Sequence, residues 1–135
     1  MKVVLLLTLT LVSSCAFAKD EQSFVASDEV RNAASGVELL RASLRDPDSM
    51  VVEHVYAKMS HKPDHPLICI AYRAKNGFGG YGYDIAEYKG GRSLQVETIG
   101  KLGWCGGIER NLDRAIKKGW SDITAEYRAQ SEAKP

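Results

Sequence analysis

Two strand-like runs joined by a glycine-rich segment constrain the fold of this chain more than any other feature. Leu67–Lys75 is apolar on both of its alternating faces, and Tyr81–Tyr88 is a second strand pattern. Between them, Asn76-Gly77 is typical of a hairpin turn because both residues tolerate positive φ. The sequence therefore predicts an antiparallel hairpin whose first strand lies in the centre of a sheet.

The joining segment places Phe78, Tyr81 and Tyr83 on backbone rich in glycine. Two interpretations stay open for Phe78 and Tyr81. The first, favoured by the usual burial of aromatic residues, is that they fold back over the edge of the core. The second is an exposed loop that binds a partner. Residues 77–82 also read Gly-x-Gly-x-x-Gly, but a dinucleotide-binding loop needs a following helix, and a strand pattern follows here, so we reject nucleotide binding.

Residues 1–18 are predicted to be a secretory signal peptide. A short basic start precedes an apolar stretch at 3–12 that is too short to span a bilayer, and 16–18 is an A-x-A cleavage site. The alternative is a lipoprotein signal that leaves Cys15 lipidated, which we favour less because Val12 replaces the usual leucine. The sequence predicts a periplasmic or secreted protein, or a membrane-anchored lipoprotein under the alternative.

Removal of this leader would leave about 117 residues, enough for a single α+β domain over 19–130 with a frayed tail at 131–135. Equal numbers of basic and acidic side chains would remain, which argues against nucleic acid or an anionic membrane as partner. Cys69 and Cys105 would also remain, and in an exported domain they most simply form one disulfide. By closing a loop of roughly 37 residues, this bridge would stabilise the fold by roughly 3 to 4 kcal/mol. Two buried thiols are the alternative.

The rest of the pattern predicts helices on either side of the strands. Apolar residues at helical spacing predict a helix over 27–45, with Ser27 as its N-cap, and Asp46-Pro47 ends it. Gly36 would weaken this helix by about 1 kcal/mol relative to alanine if exposed. A short helix is predicted from Ile108 onwards.

Two more strands are predicted, at 50–59 and 94–99, although Glu53 and His54 interrupt the alternation of the first. Residues 121–130 are expected to add a helical turn or two. The predicted fold is therefore α+β, with an N-terminal helix packed on a four-stranded antiparallel sheet, a short C-terminal helix and one disulfide.

Two separated motifs lie in the first two thirds of the chain. DPDS occupies 46–49 after the predicted helix, and KNGFGGY occupies 75–81 after the strand that carries Cys69. In this order the motifs resemble those of a group of small bacterial exported proteins, many of them lipoproteins or proteins without an assigned function. The resemblance covers about 40–85. It implies a helix packed on a small antiparallel sheet in a cell-envelope protein, and it implies no activity.

The histidines raise the possibility of a metal site. His61 and His65 lie four residues apart with Asp64 between them, and His54 lies on the preceding strand. Zinc and copper accept such ligands. Two prolines make this segment a loop rather than a helix, so a solvated loop is the default interpretation, and no metal or cofactor is predicted.

A hydrolase would need a nucleophile, a base and an orienting group, for which the candidates are Ser49, His54 and Asp84. No local signature surrounds any of them. We interpret Asp48 and Ser49 as turn formers instead. The sequence therefore predicts a protein that is not an enzyme and has no catalytic residue.

Recognition of another protein is the remaining class of function. A neutral, disulfide-linked envelope domain with an aromatic loop has the size of inhibitors of cell-wall hydrolases and of immunity proteins, an argument from size and compartment alone. We predict a non-catalytic protein-binding module whose partner is another envelope or secreted protein. The predicted contact residues are Phe78, Tyr81, Tyr83 and Trp104. A structural envelope protein without a ligand, and a metal-binding or hydrolytic enzyme, are the alternatives.

Overall fold

A computed structural model describes residues 27–58, 66–91, 93–98 and 105–133. The helices are α1 (Asp28–Ser43), α2 (Gly106–Arg110), α3 (Leu112–Lys117) and α4 (Thr124–Glu132), and a 3-10 turn spans Pro47–Ser49. The strands are β1 (Val51–Lys58), β2 (Leu67–Lys75), β3 (Tyr81–Tyr88), β4 (Leu94–Thr98) and β5 (Trp120–Asp122). The predicted leader and Cys15 lie outside the described residues.

The strands form one antiparallel sheet in the order β4-β3-β2-β1-β5. The predicted α+β class and the central position of β2 are confirmed. The sheet has five strands rather than the predicted four, because β5 adds a short strand at the outer edge of β1, where Tyr56 pairs with Asp122. A strand of three residues is too short to produce a recognisable alternation in the sequence.

The first face of the sheet is covered by α1 and α4. The Ser27 side chain caps α1 by accepting a hydrogen bond from the Val30 amide at 3.3 Å, as predicted. The helix ends at Ser43, slightly before the predicted boundary. Buried apolar residues of α1 and the sheet fill the space between them, among them Val37, Leu40, Val55, Ile70 and Ala86.

The second face is covered at one end by α2 and α3, and a disulfide between Cys69 and Cys105 links β2 to the start of α2. The predicted bridge is therefore confirmed. Ile108 and Trp120 are buried around it. The predicted helix from Ile108 is divided in two, because Asn111 ends α2 and then caps α3 by accepting a hydrogen bond from the Arg114 amide at 2.9 Å.

A carboxylate is buried beside this disulfide. Glu87 on β3 is only 2% exposed, and its Oε2 lies 3.6 Å from Cys105 Sγ. Its Oε1 lies 2.7 Å from Lys89 Nζ. A buried carboxylate requires such a counter-charge, so Lys89 offsets much of the cost of placing Glu87 there.

A β-bulge explains the interrupted alternation in β1. The register with β2 shifts between Val52 and His54, so Glu53 is the extra residue. Glu53 forms an ion pair with Arg73, and its carbonyl accepts a hydrogen bond from Arg128 of α4 at 3.0 Å. The bulge therefore has partners on both β2 and the last helix.

Beyond β5, the start of α4 continues to satisfy the outer edge of β1. The Ile123 amide donates to the Val55 carbonyl at 2.9 Å, and the Val55 amide donates to the Thr124 hydroxyl, also at 2.9 Å. The Thr124 amide in turn donates to an Asp122 carboxylate oxygen at 3.0 Å. One threonine thus joins the C-terminal helix to the middle of β1.

Within the described ranges, none of the helices combines the length and apolar character needed to cross a bilayer.

Candidate functional site

The hairpin between β2 and β3 ends in a well-defined tight turn. The Asn76 amide donates to the Gly80 carbonyl at 2.7 Å, and the Gly79 amide donates to the Asn76 carbonyl at 3.0 Å. Gly79 has a φ of 83°, the left-handed conformation that closes a three-residue hairpin loop. The predicted hairpin is confirmed, but its positive φ falls on Gly79 rather than on Asn76 or Gly77.

Asn76 contributes through its side chain instead. Its Oδ1 accepts hydrogen bonds from the amides of Phe78 at 3.0 Å and Gly80 at 3.1 Å. An asparagine at the start of a turn commonly binds nearby amides in this way. Together with the two backbone bonds, these contacts fix the conformation of the loop from within.

The loop is also held from outside by the DPDS motif. The buried Ser49 hydroxyl donates to the Asp46 carbonyl at 2.8 Å and accepts from the Lys75 amide, the last residue of β2, at 2.9 Å. A side chain at Gly77 would come within 3.1 Å of Arg45 Nη1. The two motifs that carry the sequence resemblance are therefore in contact.

Ser49 does form the predicted turn, but its bond to Lys75 was not foreseen. The only indication of this bond in the sequence was that both motifs occur in the same chain. Rules of local structure do not predict a contact between segments that lie so far apart in sequence.

The aromatic side chains of the hairpin differ in exposure. Phe78 at the tip is 100% exposed, so the interpretation that it folds back over the core is wrong. Tyr81 is 58% exposed, and Lys75 Nζ lies 6.0 Å from the centre of its ring. Tyr83 is half-buried and packs on the second-face core. Trp104, the fourth predicted contact residue, lies outside the described residues.

Phe78 and Tyr81 thus form an aromatic tip, the name used below for these two side chains. Tyr83 lies on the same face of β3 as Tyr81 but further from the loop, because successive side chains of a strand alternate. Tyr83 is therefore half-buried against the second-face core and is not counted in the aromatic tip.

The candidate hydrolase residues do not come together. His54 stacks on Tyr56 on the second face, with ring centres 5.8 Å apart. Asp84 lies on the first face beside Tyr72, where burial and, secondarily, the Asp84 carboxylate raise the pKa of Tyr72 to about 12. Ser49 is committed to the two hydrogen bonds of the turn, so these residues do not form a catalytic triad.

Of the candidate metal ligands, only His54 is among the described residues; His61, Asp64 and His65 lie outside them. In the part of the chain that the structure describes, no three His, Cys, Asp or Glu side chains are grouped closely enough to hold a metal ion.

Comparison with protein-family models, with curated proteins and with solved structures gives no match for this chain. The sequence resemblance to small exported bacterial proteins therefore stays a prediction.

Proposed function

We propose that this chain is a non-catalytic protein-binding module of the cell envelope and that the aromatic tip supplies the centre of its contact surface. The observation that carries the proposal is the complete exposure of Phe78 on a loop fixed by hydrogen bonds. Burying a phenylalanine side chain is worth about 1.5 to 3 kcal/mol, and that free energy is available to an interface in a protein that leaves it in water.

The rigidity of the loop supports recognition for a second reason. A mobile loop loses conformational entropy when it binds, at about 0.5 to 1.5 kcal/mol for each side chain that is immobilised. Asn76 and Ser49 already hold the backbone around Phe78. The backbone around the tip is therefore already ordered before a partner binds. The aromatic residues of the tip also belong to the residue types that contribute most to binding free energy at interfaces.

The partner that this proposal implies is another envelope or secreted protein. The disulfide supports an oxidising compartment, where such bonds persist. The periplasm or the extracellular medium is the compartment that fits both the bridge and the predicted leader. Anchoring to a membrane would arise only through lipidation of Cys15.

The test is capture of proteins from an envelope extract by the immobilised wild type and by matched variants. Phe78→Ala and Tyr81→Ala should each reduce recovery of the captured protein by about ten-fold or more, as truncation of central interface residues does. Ile116→Ala is the control, because Ile116 is an exposed apolar residue on α3, away from the hairpin. It should leave capture unchanged.

All three variants should unfold within about 0.5 kcal/mol of the wild type, since they alter exposed side chains. Capture by Phe78→Ala at the wild-type level would refute the assignment of the tip. Failure of the wild type to retain any specific protein would instead favour a structural envelope protein.

A further inference from the structure

A second candidate site, a cleft, lies at the opposite end of the sheet from the aromatic tip. It occupies about 420 Å³ between the last residue of β1, Lys58, the α2–α3 pair and Trp120 of β5. Lys58 pairs with Leu67 at the start of β2, whereas the tip follows the end of the same strand. A nine-residue strand is about 30 Å long, so the two sites are separate.

The cleft is lined by positive charge. Among the described residues that line it, Lys58, Arg110, Arg114 and Lys118 are cations, and none is a carboxylate. The chain as a whole is nearly neutral, with a formal charge of +1, so these four charges are a local concentration. Cations concentrated in a cleft favour the binding of anions there.

Two of these cations lie on either side of the break between α2 and α3 and line the same concavity. Arg110 is the last residue of α2, and Arg114 lies in α3 after the cap at Asn111. Lys118 follows at the end of α3, one helical turn beyond Arg114. The helix dipole favours a cation at the C-terminal end of α3, which partly explains the position of Lys118. The dipole does not explain why Lys58, which lies on β1, lines the same cleft.

We propose that this cleft binds a compact phosphorylated molecule that carries two or more phosphate groups. Guanidinium groups bind phosphate through paired hydrogen bonds, and the cleft has two of them together with two ammonium groups. Its volume lies in the range of about 300 to 1,000 Å³ that is usual for small-molecule sites. A diphosphate or triphosphate group fits this space and offers phosphate oxygens to both guanidinium groups.

The test uses inorganic pyrophosphate as the probe, titrated calorimetrically into the purified protein at low ionic strength. Arg114→Gln and Arg110→Gln should each weaken binding by about ten-fold, the usual consequence of losing a charged hydrogen-bonding partner. Arg114→Lys keeps the charge but not the paired hydrogen bonds, and it should fall between Arg114→Gln and the wild type. Lys117→Gln is the control, because Lys117 is a cation of α3 that does not line the cleft.

A second measurement locates the bound probe. The indole N–H resonance of Trp120 should shift as pyrophosphate is added to the wild type, and this shift should be lost in Arg114→Gln. Thermal unfolding of each variant without ligand should show that the fold is retained, since Arg110 and Arg114 are exposed.

Three outcomes would overturn the proposal. The first is no binding of pyrophosphate by the wild type at millimolar concentration. The second is an equal loss of affinity in Lys117→Gln and Arg114→Gln, which would indicate general charge attraction. The third is citrate binding as tightly as pyrophosphate, which would show that the cleft does not select phosphate. None of these results bears on the aromatic tip, so this inference and the proposed function fail independently.

Discussion

Replacing Gly36 with alanine is expected to destabilise the protein, although alanine is the better helix former. Gly36 is buried on the face of α1 that packs against the sheet, directly over Tyr88. A Cβ atom at this position would lie 2.9 Å from Tyr88 Cγ, 3.0 Å from Cδ1 and 3.1 Å from Cβ. Carbon atoms in ordinary contact are about 3.5 to 4.0 Å apart, so the helix or the ring would have to move.

Two opposing free energies determine the magnitude. The change from glycine to alanine in a helix interior favours folding by about 1 kcal/mol. Inserting a methyl group into a well-packed core costs about 1 to 3 kcal/mol. Tyr88 is only 4% exposed and cannot swing into solvent, which places the cost in the upper part of that range. We therefore expect a net loss of about 1 to 2 kcal/mol in the free energy of unfolding.

Urea unfolding of Gly36→Ala, Tyr88→Ala and the double variant forms a complete thermodynamic cycle. Alanine at 88 lacks the Cγ and Cδ1 atoms and keeps only Cβ, so alanine at 36 should cost little or nothing in that background, and the two sites should show a coupling energy of about 1 to 2 kcal/mol. Ser35→Ala is the control on the exposed side of α1, and it should change stability by less than about 0.5 kcal/mol. A Gly36→Ala protein about 1 kcal/mol more stable than the wild type would refute the reasoning, because that is the result for an exposed glycine.

Three further perturbations test other parts of the fold. Replacing both Cys69 and Cys105 with alanine should cost about 3 to 4 kcal/mol in urea unfolding, because the bridge spans a sequence separation of 36; unchanged wild-type stability in reductant would contradict this. Ser49→Ala should cost about 1 to 3 kcal/mol by the same assay, since it leaves the Lys75 amide without its acceptor, and a cost near zero would show that water replaces the hydroxyl. Because the pKa of Tyr72 is raised to about 12 in the folded protein, the free energy of unfolding should keep the full contribution of this group below pH 10.0 and should lose up to about 3 kcal/mol as the pH rises towards 12. Tyr72→Phe should remove this part of the alkaline decline, and an identical decline in that variant would assign it to other groups.

Much of the framework could be predicted because the signals for it are local. The bounds of β2 and β3 follow from the apolar alternation and the glycine-rich turn between them. The start of α1 follows from Ser27, whose capping bond is made within its own first turn. The disulfide could be predicted without any geometry, because a chain that is predicted to be exported and to keep two cysteines has a single way to form an intramolecular bridge.

The features that were missed depend on residues far apart in the chain. The burial of Gly36 is set by Tyr88, and neither residue signals the other in the sequence. The short strand β5 exists because β1 offers it an edge, and the bulge at Glu53 becomes visible only in the register with β2.

The candidate site also combines features that local signals predict with features that depend on distant residues. The glycines and Asn76 predicted a tight turn, whereas the exposure of Phe78 depends on whether segments distant in the chain pack against the loop. The cationic cleft was not predicted at all. Its arginines occur at ordinary helical spacing, and only the packing of α2 and α3 against Lys58 and Trp120 turns them into the lining of a concavity.

The attachment of α4 to β1 has a consequence for how this chain is made. Strand β1 is synthesised early, but the groups that complete its outer edge, the Ile123 amide and the Thr124 hydroxyl, lie near the C-terminus. Until that last segment has been translated, or after a protease has clipped it, Val55 presents unpaired hydrogen-bonding groups to any neighbouring chain. Open strand edges of this kind promote aggregation. Nascent molecules, and molecules truncated before this segment, are therefore the forms in which self-association is expected, while the folded chain covers that edge with β5 and the start of α4.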